Sequence, residues 1–125
     1  MKRLLLLLSI AISIIYISCD KDDNQGPVEL YGKWKLLETL ADPGDGSGKY
    51  IKTTKDLYVT FDRSGKLEGD ALPEAVSFKV LDSVSIKINS RERNHSITYG
   101  YKIEGSSLWL YPPCIEGCGL HFIRK

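Results

Sequence analysis

The chain contains 125 residues, of which 42% are hydrophobic and 26% are charged, and its formal net charge is +1. This length predicts a single domain with a modest hydrophobic core. A chain so close to neutral has no excess of positive charge with which to hold phosphates. We therefore predict that it does not bind nucleic acid.

The first 18 residues have the order of a secretory signal. Two basic residues precede an apolar run over positions 4–17, and the small residue Ser18 follows. A membrane-spanning helix needs roughly 20 apolar residues, so this run is short for a stable span and is typical of a signal-peptide core. An uncleaved N-terminal anchor helix is the alternative interpretation.

Cys19 stands immediately after this run. Ser18 and Cys19 resemble the end of the box that marks bacterial lipoproteins, in the relaxed form typical of Bacteroidetes. The resemblance implies that residues 1–18 are a signal peptide and that Cys19 becomes the acylated N-terminus, carrying chains such as palmitate. More than one such chain makes anchoring lasting. The implied partner is the membrane, and the implied location is the outer membrane.

Residues 19–28 are predicted to form a flexible, lipid-anchored tether. The stretch 20–23 is charged and offers no apolar surface to offset the entropy of ordering. It also resembles the surface-export signal that follows the lipidated cysteine in Bacteroidetes, which implies display at the cell surface. A plain solvated spacer is the alternative. The globular domain is then predicted over residues 29–125.

Two cysteines remain once Cys19 is assigned to lipidation. Cys114 and Cys118 flank a short segment, and export would place them in an oxidising compartment where a disulfide is expected. A metal site built from both cysteines and His121 is the alternative. Because a separation of three residues is not the usual spacing of zinc-binding cysteines, we predict the disulfide and no metal.

The remainder of the chain repeats a period-two pattern of apolar residues broken by turn residues, which predicts β-strands and no helix. Residues 39–55 interrupt this pattern with a composition typical of a loop. Each strand has one apolar face, and an eight-stranded sheet covers that face and removes its unpaired edges when it closes on itself. We therefore predict an all-β, antiparallel up-and-down barrel. A two-sheet sandwich is the alternative. The predicted strands cover residues 30–36, 56–61, 66–70, 76–80, 84–88, 97–103, 108–110 and 120–124.

The first and last predicted strands carry a family resemblance. Gly32-Lys33-Trp34 resembles the Gly-x-Trp motif of the first strand of lipocalins, and Arg124 ends the last strand. In lipocalins and the wider calycin group, an arginine of the last strand packs across that tryptophan at the closed end of the barrel. The resemblance implies a small lipocalin-like domain in which Arg124 covers a buried Trp34.

No pattern typical of a catalytic site is present. His95 falls in a polar loop, and His121 alternates with apolar neighbours and is expected to face outward. The acidic residues are scattered without an inward-facing pair that could act as general acid and base. We therefore predict a protein that is not an enzyme and that carries no cofactor. Asp82-Ser83-Val84 resembles the O-glycosylation motif of Bacteroidetes.

Two functional interpretations remain from different classes. In the first, the barrel binds a small apolar or amphipathic ligand, with the 39–55 loop over its mouth. Eight-stranded barrels are narrow enough for the same side chains simply to fill the interior. In the second, the protein binds another protein, for example as an inhibitor of a host or competitor enzyme, through the 91–95 tip or the cysteine loop. The candidate ligand-binding residues are Trp34, Phe78, Tyr99 and Tyr101.

Overall fold

The period-two pattern produces one antiparallel sheet. The computed structural model describes residues 26–92 and 94–125, so the prediction for Cys19 lies outside the described residues. A 3-10 turn at Val28–Leu30 precedes the strands. These are β1 (Gly32–Ala41), β2 (Tyr50–Lys52), β3 (Tyr58–Phe61), β4 (Leu67–Glu68), β5 (Ala75–Val80), β6 (Ser85–Ser90), β7 (Ser96–Glu104), β8 (Ser107–Tyr111) and β9 (Cys118–Arg124).

Eight of these strands form a nearly closed barrel in the order β4-β3-β1-β9-β8-β7-β6-β5, and β2 pairs with β1 outside this path. The two ends of the order meet through the isolated bridge between Lys66 and Ser77. The amide of Phe78 also donates to the carbonyl of Gly65, 2.8 Å away. The predicted eight-stranded antiparallel barrel is confirmed, and the sandwich alternative is wrong.

The barrel has a closed and an open end. The closed end contains the start of β1, the end of β9 and the hairpin between β7 and β8. The open end contains the hairpin between β6 and β7, the segment 69–74 before β5, and the cysteine loop between β8 and β9. Among the described residues, no helix is long and apolar enough to span a membrane.

Two of the predicted element boundaries need correction. The predicted 39–55 loop includes the last residues of β1 and the whole of β2, because Thr39 and Leu40 pair with Ile51 and Tyr50. Leu30 lies in the 3-10 turn instead of the first strand. β1 then starts at Gly32 with a positive φ of 124°, a conformation that glycine adopts without steric cost.

The last residues of the predicted tether lie against the barrel. The amide of Gly26 donates to the hydroxyl of Tyr31 at 3.1 Å. Val28 belongs to the 3-10 turn, whose last residue, Leu30, is fully buried. Gly26 and Val28, which the sequence assigned to the tether, therefore contact or belong to the structure around the start of the barrel.

The inner face of the barrel is a filled core. Thirteen of the described residues are at most 5% exposed and form a single apolar cluster, and partly buried side chains such as Val80, Tyr99 and Ile103 pack against it. An edge-to-face contact between Phe61 and Phe78, with ring centroids 5.0 Å apart, joins β3 to β5 across the closure. The fully buried members with the largest side chains are Trp34, Phe61 and Phe122.

A β-bulge in β1 changes which residues point inward. The pairing of β1 with β9 shifts between Leu36 and Glu38. Trp34 and Leu36 are buried before the bulge. Unbroken alternation would place Glu38 on the same inner face, but a bulge adds one residue and reverses the faces beyond it. Glu38 consequently lies on the outer face, where its carboxylate contacts His121.

Candidate functional site

The closed end is organised around Trp34. Its side chain is fully buried, and its indole Nε1–H donates to the carbonyl of Leu30 at 2.9 Å. The guanidinium of Arg124 lies 4.3 Å from the centroid of the Trp34 ring. Arg124 also donates to the backbone carbonyls of Tyr31 and Glu29. The contact that the lipocalin resemblance implies is thus present, and it ties the N-terminal 3-10 turn to the last strand.

A surface groove lies beside this closed end. Its volume is about 590 Å³, and Val80, Tyr101 and Ile103 provide much of its apolar wall. Gly26 packs against Val80 so closely that an added Cβ would lie 2.5 Å from Val80 Cγ2. The groove is therefore the place where the N-terminal segment reaches the barrel. Ser83, the candidate for glycosylation, lies exposed on its border in the turn between β5 and β6.

A second pocket opens at the other end of the barrel, and we call it the mouth pocket. Its volume is about 470 Å³, and β6, β7 and the segment before β5 form its walls. Apolar side chains line its interior, and charged and imidazole groups stand at its rim. Its lining residues are Leu72, Pro73, Glu74, Ala75, Ile88, Ser90, Glu92, His95, Ile97 and Tyr99.

The structure separates the four candidate ligand-binding residues. Trp34, Phe78 and Tyr101 belong to the packed core, where none is more than 5% exposed. Tyr99 is half-buried and lines the mouth pocket. The described lining includes no residue from 39–55, so this segment does not cover the pocket as a lid would.

Burial further favours the neutral form of both tyrosines on the inner face of β7. It raises the pKa of Tyr99 above the ordinary value for a phenol. Burial, with a smaller contribution from the negative charge of Asp82, raises the pKa of Tyr101. The Tyr101 hydroxyl donates to the carbonyl of Asp82 at 3.1 Å. Tyr99 therefore offers the mouth pocket a neutral phenol at physiological pH.

The cysteine loop lies at the open end. Cys114 and Cys118 form the predicted disulfide, with their Cα atoms 6.0 Å apart. The amide of Asp42 donates to the carbonyl of Gly117 at 3.1 Å, which joins this loop to the end of β1. Within the part of the chain that the structure describes, no group of three or more metal-ligating side chains is placed to hold a metal ion.

The outer face carries a polar arrangement that sequence reasoning missed. His121 Nδ1 lies 2.9 Å from Glu38 Oε2, and His121 Nε2 lies 3.0 Å from the Ser107 hydroxyl. The Trp109 ring stacks on the imidazole with centroids 4.6 Å apart. The His121 side chain is consequently only 14% exposed, although it faces outward as predicted.

The arrangement resembles a nucleophile, a base and an acid that orients the base, with Ser107, His121 and Glu38 in these three positions. Catalysis would also require a cleft for the substrate and donors for an oxyanion. None of the three lines either pocket described above, and β8 and β9 are bonded to each other through this region. The arrangement instead links three neighbouring strands, β8, β9 and β1. Sequence could not reveal it because the bulge places Glu38 beside His121.

Comparisons with known proteins return no relative. No family model, curated protein or solved structure matches this chain.

Proposed function

We propose that this protein is a lipid-anchored lipoprotein of the outer membrane whose lipocalin-like barrel binds a small amphipathic ligand at its open end. The observation that carries the proposal is the mouth pocket of about 470 Å³. Ligand pockets are concave and mainly apolar, with a few polar groups that orient the ligand. The mouth pocket has this character, because Leu72, Ile97 and Tyr99 line it and the imidazole of His95 stands at its rim.

The filled core limits what can bind. The inside of the barrel is filled by one packed cluster that includes Trp34, Phe78 and Tyr101. A ligand therefore has no deep channel to enter. It binds shallowly, with its apolar part against Tyr99 and Ile97 and its polar part towards the rim. Tyr99 is thus the one candidate from the sequence that supports this proposal directly.

Lipidation of Cys19 would set the orientation of the mouth pocket relative to the membrane. The described chain begins at Gly26, which packs beside the closed end. Six residues lie between Cys19 and Gly26, and the seven Cα-to-Cα steps that join these two residues span at most about 25 Å when fully extended. Acylation of Cys19 would hold the closed end near the membrane and direct the mouth pocket away from it. Residues 20–23 are compatible with display at the cell surface, as the sequence resemblance implies.

Titration with a fluorescent fatty acid tests the ligand proposal. The Ile97→Glu variant introduces a charge into the mouth pocket at a partly exposed position, so it should weaken binding by tenfold or more. Leu81→Glu is the matched control, because Leu81 lines the groove at the closed end and is 48% exposed. The proposal is wrong if the unchanged protein does not bind the probe, or if Leu81→Glu is the variant that loses binding.

A further inference from the structure

The strand β2 is a sheet edge at the open end of the barrel. Among the described strands it pairs only with β1, so its other side is not covered by a strand. All three of its residues, Tyr50, Ile51 and Lys52, are exposed. Ile51 is 70% exposed, which is unusual for a large aliphatic side chain in a strand. Edge strands of this kind can pair with a strand of another chain.

The register of β2 shows which backbone groups are available. The amide of Thr53 donates to the carbonyl of Leu37 at 3.0 Å, and Thr39 lies opposite Ile51. Bonded and non-bonded pairs alternate along an antiparallel ladder. The peptide N–H and C=O groups of Tyr50 and Lys52 therefore point away from β1, towards the open edge.

Charge decides which kind of strand this edge accepts. Lys49, Lys52 and Lys55 lie in and beside β2, and no ion pair involves any of them within residues 26–92 and 94–125. Glu38 lies opposite Lys52, but its carboxylate contacts His121. Two copies of this edge would bring lysines together, and like charges placed opposite each other are destabilising.

We propose that β2 is a docking edge for an extended acidic segment of another protein, which adds a strand beside Tyr50–Lys52. Backbone hydrogen bonds to Tyr50 and Lys52 hold the added strand, as in other cases of strand addition. Its carboxylates face Lys49, Lys52 and Lys55, and these contacts favour an acidic segment over other sequences. Ile51 contributes an apolar contact on one face of the added strand. This site is separate from the mouth pocket and does not depend on its ligand.

Fluorescence anisotropy with the full chain tests the docking edge. The probe is a labelled peptide of alternating glutamate and valine, which is compared with a lysine–valine peptide. A third peptide keeps the glutamates but carries backbone N-methyl groups, which block pairing. We expect the glutamate peptide to bind at least tenfold more tightly than either comparison peptide, with an affinity that falls as salt is raised.

Charge-reversal variants locate the site. The double change Lys49→Glu and Lys52→Glu should lower affinity for the glutamate peptide at least tenfold and favour the lysine peptide. The control is Lys79→Glu with Lys87→Glu, which makes the same change of charge on the paired strands β5 and β6. The proposal is overturned if the N-methylated peptide binds equally well, if the control variant loses binding to the same extent, or if sedimentation shows that the edge pairs with a second copy of the chain.

Discussion

Trp34 is held by three interactions of different kinds. Its ring is removed from water, its indole N–H reaches the Leu30 carbonyl, and the Arg124 guanidinium covers its face. A buried tryptophan needs a partner for its N–H as well as apolar neighbours. The 3-10 turn supplies the partner, so this single side chain connects the N-terminal turn, β1 and β9.

Removal of this side chain should destabilise the domain severely. Trp34→Ala leaves a large cavity and an unpaired Leu30 carbonyl, and we expect a loss of about 3–5 kcal/mol in the free energy of unfolding. Arg124→Ala removes the cation–π contact from an exposed position and should cost on the order of 1 kcal/mol. Denaturant unfolding of both variants measures these losses.

Trp109→Ala is the matched control, because Trp109 is only partly buried and lies on the outer face against His121. It should cost less than Trp34→Ala. A denaturation midpoint lower for Trp109→Ala than for Trp34→Ala would contradict the role assigned to the closed end.

Asp42 is a second residue with a defined chemical role, because its carboxylate organises the turn after β1. It accepts hydrogen bonds from the amides of Gly44, Gly46 and Gly48. The hydrogen bond from Gly44, with smaller contributions from the other amides, lowers the pKa of Asp42 below its ordinary value. Its stabilising effect is therefore present above the unfolded pKa of about 3.9 and is lost as pH falls through the lower folded value.

An NMR titration of the Asp42 carboxyl should give a pKa below the ordinary aspartate value. The difference in unfolding midpoint between the unchanged protein and Asp42→Asn should be larger at neutral pH than in acid. A carboxyl that titrates at or above the ordinary value would show that these hydrogen bonds do not persist in solution.

At the scale of secondary-structure elements, the bulge in β1 has the widest consequence. It allows one strand to bury Trp34 and Leu36 and then to present Glu38 outward. The reversal of faces brings Glu38 against His121, in the same part of β1 that pairs with β2. A single extra residue thus creates the polar arrangement on the outer face.

The cysteine loop between β8 and β9 gives a prediction at the same scale. The Cys114–Cys118 bridge closes a short loop, and chain entropy predicts a stabilisation of about 2 kcal/mol for such a loop. The double change Cys114→Ser and Cys118→Ser should lower the unfolding free energy by about this amount while the barrel persists. Calorimetry of both forms measures the difference, and equal melting temperatures would count against this account.

The proposed lipid anchor would lie near the closed end of the barrel, whereas the mouth pocket lies at the open end. Cys19→Ala should abolish labelling with radioactive palmitate and move the protein from the membrane to the soluble fraction. Ligand affinity should be unchanged, because the mouth pocket lies at the opposite end of the barrel. If the variant stays membrane-bound and labelled, the lipoprotein interpretation is wrong.

Features that depend on local periodicity and residue chemistry could be predicted from the residues alone. Alternation along each strand predicted the barrel strands and the inward position of Trp34, and the cysteine pair in a chain that is expected to be exported predicted the disulfide. These predictions succeed because a strand directs successive side chains to opposite faces whatever its partner is.

Features that depend on the register between distant strands could not be predicted from the residues and are visible only in the folded barrel. The bulge beside Leu37, the pairing of β2 with β1, and the contacts of His121 with Glu38 and Ser107 all require strands far apart in sequence. The sequence also left open whether the inside of the barrel is a cavity or a filled core, because alternation shows which residues face inward but not how much space remains between them. Packing placed Phe78 and Tyr101 in the core and left Tyr99 at the mouth.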